Sequence, residues 1–237
     1  MNFVAMPDCL SKVKALLPYY ITTPEQEDMT NRARVSLMSF DCCLKVYEDG
    51  RKYETKVAGV WNNFFKQWVG KDYDYLLITA NDVEHDCKMV DFMVRCAKEN
   101  PMSIVSCKVT RDYDKFKAEY GQHVYTSELT THKPKDPATF LLPRGVIETI
   151  GFADEIFPTA FVERDLLYRA KLAGWQWIQP DLELEYHPPY SGTIGNDQGE
   201  LDRAYKRYMM KFGGDAGSEK YTHPYNNFSL PITYVEK

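Results

Sequence analysis

The sequence predicts an α/β fold with a central mixed, mostly parallel sheet flanked by helices. Residues 75–78 (Y-L-L-I) form a continuous apolar run, too short for a helix and rich in strand formers, as expected of a strand buried on both faces. Strand and helix patterns alternate along residues 42–109, which favours parallel strands joined by right-handed crossovers. The 237 residues, of which 44% are hydrophobic, suffice for a substantial core.

Residues 1–110 contain both strand-like and helix-like patterns of apolar residues. We expect strands at 2–6, 42–47, 75–78 and 103–109, and helices at 10–17, 25–38, 61–69 and between Asp86 and Asn100. The helix at 25–38 is well marked, because Thr23 and Pro24 supply a cap and a first-turn proline. The helix after its cap Asp86 has apolar residues at the spacing of a helix packed on a sheet.

The C-terminal half begins with a long polar stretch at 111–137, which we interpret as a long loop excursion. After it we expect strands at 139–142, 175–178 and 182–186, a short helix ending at 150, and helices at 162–173 and 201–212. Gly174 would end the second of these helices. Residues 1–214 are predicted to form a single domain, followed by a C-terminal tail at 215–237.

Composition excludes several classes of protein. The net charge of −5 argues against a protein that grips nucleic acid mainly by its overall charge. No apolar run approaches the ~20 residues of a membrane span, and no signal peptide is visible, so we expect a soluble cytoplasmic protein with no membrane span. The chain has neither G-x-G-x-x-G nor a Walker loop, which removes dehydrogenase and kinase interpretations.

Acidic residues follow two of the predicted strands. The strand at 75–78 runs into Thr79-Ala80-Asn81-Asp82, and the strand at 42–47 runs into Glu48-Asp49-Gly50. Open α/β sheets bind ligands at the carboxyl ends of their strands, and a carboxylate there can hold a divalent cation. Both segments are also ordinary turn chemistry, so either alone leaves the choice open.

Five segments, in this order, resemble the family 2 glycosyltransferases of GT-A fold. They are the turn at 48–50, the strand with its acid at 75–82, F-L-L-P-R-G-V-I-E-T-I-G-F-A-D-E-I-F at 140–157, V-E-R-D-L-L-Y-R-A-K-L-A-G-W at 162–175, and Y-H-P-P-Y-S-G-T at 186–193. The helical Y-K-R-Y-M-M-K-F-G-G at 205–214 looks like the usual close of that family. The resemblance covers residues 42–214, and agreement among separate local signals strengthens it.

The resemblance implies a nucleotide-sugar donor site with a metal ion. Asp49 matches the acid that hydrogen-bonds the base, and Asn62, Asn81 and Arg144 are further candidates for donor binding. Asp82 matches the last acid of the metal-binding DxD motif, while Ala80 stands where the first Asp commonly sits. His187 matches the histidine that completes the metal site, with a structural histidine as the alternative. Mn²⁺ or Mg²⁺ is the implied cofactor.

The catalytic base is implied within the E-D motif. When Asp165, Arg169 and Gly174 fix the register, Val162 stands where the family has Glu and Glu163 where it has Asp. Glu163 would therefore take the proton of the acceptor hydroxyl, with Asp165 as the alternative. Either acid could instead simply complement the helix dipole.

The implied reaction is an inverting, in-line transfer of a hexosyl or pentosyl group from a nucleotide-diphosphate donor, UDP-sugar favoured, to an acceptor hydroxyl. A saccharide is the preferred acceptor, and the chain is similar to small transferases of viral and bacterial glycosylation clusters. A hydroxymethylated pyrimidine in phage DNA is the nucleic-acid alternative, although the basic residues of 108–135 are interleaved with acids. An inactive sugar- or nucleotide-binding protein is the alternative outside enzymes; a nucleotidyltransferase is disfavoured, because no glycine-rich basic loop follows the first strand.

Overall fold

A computed structural model of the protein describes residues 12–40, 43–125, 131–132, 138–188 and 198–220. The strand predicted at 2–6 and most of the predicted tail lie outside these ranges. Within them, no helix is both long and apolar enough to cross a membrane.

The described residues form a seven-stranded central sheet and a second, three-stranded sheet. The strands are β1 Val13–Tyr19, β2 Cys43–Asp49, β3 Tyr75–Thr79, β4 Glu84–His85, β5 Ser103–Ser106, β6 Lys108–Thr110, β7 Thr131–His132, β8 Thr139–Pro143, β9 Gln176–Pro180 and β10 Glu183–Tyr186. The central order is β2-β1-β3-β8-β5-β9-β7, and the small order is β4-β10-β6. In the central sheet only β8 and β7 run against the others, which confirms the mixed, mostly parallel sheet.

Seven α-helices belong to the described ranges. They are α1 Pro24–Met38, α2 Lys56–Trp68, α3 Met89–Glu99, α4 Tyr113–Glu119, α5 Arg144–Ile150, α6 Val162–Leu172 and α7 Gln198–Phe212. The predicted start of α1 is confirmed by a capping box, in which the Thr23 hydroxyl and the Gln26 side chain each accept from the other's backbone N–H. At α3 the N-cap is Lys88, and the carboxylate of Asp86 accepts from the Lys88 amide at 2.8 Å.

Both faces of the central sheet are covered. Leu16, Leu76 and Ile78 pack with α2, α5, α6 and α7 on one face, whereas Leu17 and Leu77 pack with α1 and α3 on the other. Successive strand residues point to opposite faces of the sheet. Because both faces are covered, apolar residues occupy successive positions of β3 instead of every second one. Full burial of each such side chain contributes ~1.5–3 kcal/mol.

Three predictions about elements are wrong. Residues 13–17 belong to a central strand rather than a helix, because pairing with both β2 and β3 outweighs the local pattern. The run at 103–109 is two strands in different sheets, separated at Cys107, whose amide donates to the carbonyl of Thr139. The excursion at 111–137 contains helix α4, whose cap is Asp112 and whose buried residue is Phe116.

Candidate functional site

The carboxyl edge of the central sheet collects the acids predicted from sequence. The register pairs Tyr19 of β1 with Asp49 of β2, and Leu16 of β1 with Ile78 of β3. Asp49 therefore lies level with the residues just beyond β3, two strand spacings away, or ~10 Å. The turn 80–82 and the end of β2 thus border the same edge, where open α/β sheets bind ligands.

Asp82 and His187 are brought together by the small sheet. Strand β4 starts two residues after Asp82 and pairs antiparallel with β10, with Glu84 opposite Tyr186. This places His187, the next residue, against the turn, with its Nε2 3.5 Å from Oδ2 of Asp82. The side chain of Asp82 is 10% exposed and that of His187 is 16% exposed, so bulk water has little access to the pair.

Arg111 fixes the hydrogen bonding of His187. Its Nη1 donates to Nδ1 of His187 and also to the carbonyl of Pro188 at 2.7 Å. Because a guanidinium can only donate, Nδ1 must accept, and the ring proton resides on Nε2, facing Asp82. A cation bound at Nε2 would have to displace that proton, while Nδ1 would keep accepting from Arg111.

The pair fits a divalent cation in chemistry but does not form a complete protein cage. A carboxylate oxygen suits Mn²⁺ or Mg²⁺, and an imidazole nitrogen is a common metal ligand in proteins. Among the described residues, no group of three or more His, Cys, Asp or Glu side chains could hold a metal ion. The remaining ligand positions would therefore fall to substrate phosphates and water, as is usual for Mg²⁺.

Asp49 lies at the end of β2 and caps the turn that follows it. Its carboxylate accepts from the Arg51 amide at 3.0 Å and from the Arg51 guanidinium at 2.6 Å. The Arg51 hydrogen bond is the main cause of the lowered pKa of Asp49. The group is therefore ionised, with an Arg donor beside it.

Glu163 lies in the first turn of α6 at the same edge. Strand β9 starts at the amino edge, beside Ser103, and α6 leads into it, so the beginning of α6 faces the carboxyl edge. Phe161, the N-cap, has φ +66°, a left-handed conformation that costs a non-glycine residue of order 1 kcal/mol. Such strain persists only where neighbouring residues hold the backbone in place. The conformation of Phe161 sets the direction in which α6, with Glu163 in its first turn, continues from the loop.

Asp165 is committed to a buried ion network. It is fully buried, accepts from Nε of Arg169 at 2.9 Å and pairs with Nζ of Lys211 in α7. Lys211 also pairs with Asp154 at 2.6 Å, and Arg169 donates to the carbonyls of Ile150 and Phe152. This arrangement of two acids and two cations favours a structural role for Asp165 over that of the base.

Asn62 and Asn81 are also engaged in tertiary contacts. The Asn62 amide donates to the carbonyl of Ala153 at 3.0 Å and accepts from its N–H at 2.8 Å, which ties α2 to the loop before α6. The Asn81 amide donates to the Thr30 hydroxyl at 2.8 Å, which ties the turn after β3 to α1. Asn81 lies beside Asp82, whereas Asn62 serves the packing of a helix.

Arg144 lies at the opposite edge from the other candidates. Pro143 pairs with Tyr75 at the start of β3, and the Arg144 amide donates to the carbonyl of Asp74. Its guanidinium pairs with Glu148 at 2.7 Å. Because β8 runs antiparallel to β3, its carboxyl end points away from the Asp82 turn, and the position argues against donor binding.

Sequence reasoning missed a buried polar cluster beneath Asp82. His85 is fully buried, with Nδ1 2.9 Å from the Ser36 hydroxyl and Nε2 2.7 Å from the Thr79 hydroxyl. Glu185, equally buried, lies 3.6 Å from the same Nε2. The sequence E-L-E-Y at 183–186 could have revealed it. Its alternation places Glu183 and Glu185 on one face of a strand, and Glu185 lies two residues before His187.

Burial keeps both members of this cluster neutral. It lowers the pKa of His85 to about 3. It also raises the pKa of Glu185 to about 8, against a smaller opposing effect of the Thr139 hydroxyl and with a further increase from Asp82. The ring of His85 is therefore a neutral hydrogen-bonding group, and the carboxyl of Glu185 is a neutral group whose two oxygens are buried without a hydrogen-bond partner among the described residues.

Comparison of the sequence finds no matching family model and no matching curated protein. The fold, however, is similar to that of TarS, a glycosyltransferase of GT-A type from S. aureus. The structure of TarS residues 1–349 matches with a TM-score of 0.51 and 13% identity, covering 94% of this chain and 75% of TarS 1–349. The same fragment in complex with UDP matches with a TM-score of 0.51 and 12% identity, covering 87% of this chain and 73% of the fragment. A longer TarS structure gives 0.55 and 11% over 93% and 44%. At these identities the likeness establishes the fold alone.

Proposed function

We propose that the protein is a metal-dependent, inverting glycosyltransferase of family 2 that takes its sugar from a nucleotide-diphosphate donor, UDP-sugar in the first place. The observation that carries the proposal is the Asp82–His187 pair at the carboxyl edge of the sheet. A neighbour of the same fold binds UDP, which supports this class of donor.

Asp82 and His187 would hold Mn²⁺ or Mg²⁺, with Asn81 beside them. The bound cation would neutralise the diphosphate leaving group. Asp49, at the same edge, would accept the ring N–H of the base. A carboxylate kept ionised by Arg51 suits that contact, because a charged acceptor makes the stronger hydrogen bond.

Glu163 would accept the proton of the acceptor hydroxyl as it attacks the anomeric carbon. It is half-buried, belongs to the first turn of α6 and faces the carboxyl edge, where the donor would bind. Asp165 is the weaker candidate, because two cations already bind its carboxylate inside the protein.

A saccharide or another small hydroxyl compound is the proposed acceptor. A DNA acceptor would need basic residues ready for phosphates, yet Lys108 pairs with Asp181, Lys115 with Glu183 and Lys117 with Glu84. Arg111 is engaged with His187 and the Pro188 carbonyl. Lys133 and Lys135 lie outside the described residues.

The test is release of UDP from UDP-sugars, measured with Mn²⁺ and with EDTA, against oligosaccharide and hydroxymethyl-pyrimidine DNA acceptors. We expect metal-dependent release that a saccharide accelerates. Salt-sensitive transfer to DNA alone would overturn the acceptor assignment. UDP binding without turnover of any donor would favour an inactive binding protein of the same fold.

A further inference from the structure

Glu200, in the first turn of α7, joins two segments that are distant in sequence. Its Oε2 accepts from Nζ of Lys56 at 2.7 Å, and its Oε1 accepts from the hydroxyl of Thr159. The partners are 144 and 41 residues away along the chain. The Glu200 carboxylate is 12% exposed and the Lys56 side chain 39%, so the bridge is buried on its acidic side and open to water on its basic side.

The two partners belong to segments that adjoin candidate site residues. Lys56 begins α2, seven residues after Asp49 on the donor side, and has the unfavourable φ of +46°. Thr159 lies two residues before Phe161, the strained N-cap that precedes Glu163. The Ala58 amide also donates to the carbonyl of Pro158 at 3.1 Å, so the start of α2 and this loop touch directly.

We infer that Glu200 is a positioning residue, which sets Glu163 relative to the donor side of the site by holding Thr159 and Lys56 together. The inference rests on the proposed function. Two left-handed non-glycine residues flank the bridge, and conformations of this kind require neighbours that hold them. The ring of Phe161 packs on Tyr205 and Tyr208 of α7, so the same helix contacts the loop at Phe161 as well as at Thr159.

The variants separate the two halves of the bridge. Glu200→Ala removes both contacts, whereas Glu200→Gln and Lys56→Met each remove the ion pair and leave an oxygen acceptor for Thr159. Asp202→Asn is the matched control, because Asp202 lies on the same helix, and its side chain accepts from Gln198 of that helix. It loses the same charge near the same helix start without touching the bridge.

We expect Glu200→Ala to lower kcat by ~10- to 100-fold, since small displacements of reacting groups have effects of this size. The KM for the donor should change by less than about threefold, because the donor contacts are untouched. Glu200→Gln and Lys56→Met should show equal, smaller losses, and Asp202→Asn none. In a Glu163→Gln background, Glu200→Ala should lower kcat no further, because it acts through the missing base.

Hydrogen exchange provides a readout that needs no turnover. Backbone amides of residues 159–165 should exchange faster in Glu200→Ala than in Asp202→Asn. Unchanged exchange there, or an additive effect with Glu163→Gln, would overturn the inference. If the wild-type chain is inactive with every donor, the proposed function fails, and faster exchange would then mark Glu200 as a structural bridge only, which also overturns its role in positioning a base.

Discussion

At the scale of single residues, the surroundings of each carboxylate decide whether it is suited to catalysis, to metal binding or to a structural role. Glu163 and Asp165 lie two positions apart in one helix turn, yet Asp165 is fully buried and bound by two cations, whereas Glu163 is half-buried. Asp82 has His187 as its neighbour. Three predictions belong to this scale.

Asp82→Asn should abolish the metal dependence of UDP binding. The change keeps size and hydrogen bonding but removes the charge that attracts the cation. Calorimetry with Mn²⁺ and with EDTA would measure it, and Asp72→Asn, an exposed acid paired with Lys12, is the control. Equal affinity of the wild type with Mn²⁺ and EDTA would refute the metal site.

Glu163→Gln should remove turnover and leave UDP affinity nearly intact, because it deletes a proton acceptor while keeping shape. Loss of a general base costs ~100-fold or more in kcat. Steady-state kinetics and calorimetry on the same preparation would test it. Retention of more than ~10% of activity would move the base elsewhere.

His85 should make the protein less stable in acid. Burial holds its pKa at about 3, below the unfolded value of 6.5. The unfolded state therefore binds more protons between these values, and the contribution to stability is lost as pH falls through this window, by up to ~1.4 kcal/mol per pH unit. Urea unfolding of wild type and His85→Gln between pH 7 and 4 would show a flatter dependence in the variant; parallel curves would contradict this.

At the scale of elements, α7 is fixed to α6 by charge as well as by apolar packing. Lys211 is buried between Asp154 and Asp165, and Tyr208 and Phe212 pack against rings of the preceding loop and of α6. The helix that carries Glu163 is thereby oriented from its buried side. The prediction at this scale concerns Lys211.

Lys211→Met should destabilise the fold by ~3–5 kcal/mol, because it leaves two carboxylates in a dry environment without their shared cation. Chemical unfolding would measure the loss. Lys206→Met, at an exposed position of the same helix, should change stability by less than ~0.5 kcal/mol. Similar effects of the two changes would mean that the buried network contributes nothing specific.

At the scale of the whole molecule, strand direction separates two edges of the sheet. Asp49, Asp82 and the start of α6 border one edge, and Arg144 lies at the other. Ligand binding is expected only at the first.

Arg144→Ala should therefore leave UDP affinity within about twofold of wild type, since contacts remote from a ligand rarely change its binding. Calorimetry would check this, with Asp49→Ala as the variant expected to weaken binding. A tenfold loss in Arg144→Ala would restore its predicted place in the donor site.

The sequence alone determined what depends on local periodicity and on chain order. The buried strand β3, the capped helix α1, the apolar stripe of α3 and the acids at the ends of β2 and β3 all follow from short-range patterns. The order of the motifs along the chain carried the resemblance to a GT-A fold. Local pattern failed at residues 13–17 and 103–109, because pairing partners lie far away in sequence and outweigh intrinsic propensity.

Only the tertiary structure decided which candidates meet. The pairing of β4 with β10 brings Asp82 and His187 together across 105 residues, while the antiparallel course of β8 carries Arg144 to the far edge. Burial distinguishes Asp165, which is fully buried, from Glu163, and it keeps His85 and Glu185 neutral. Desolvation and charge pairing depend on tertiary neighbours that no local pattern specifies.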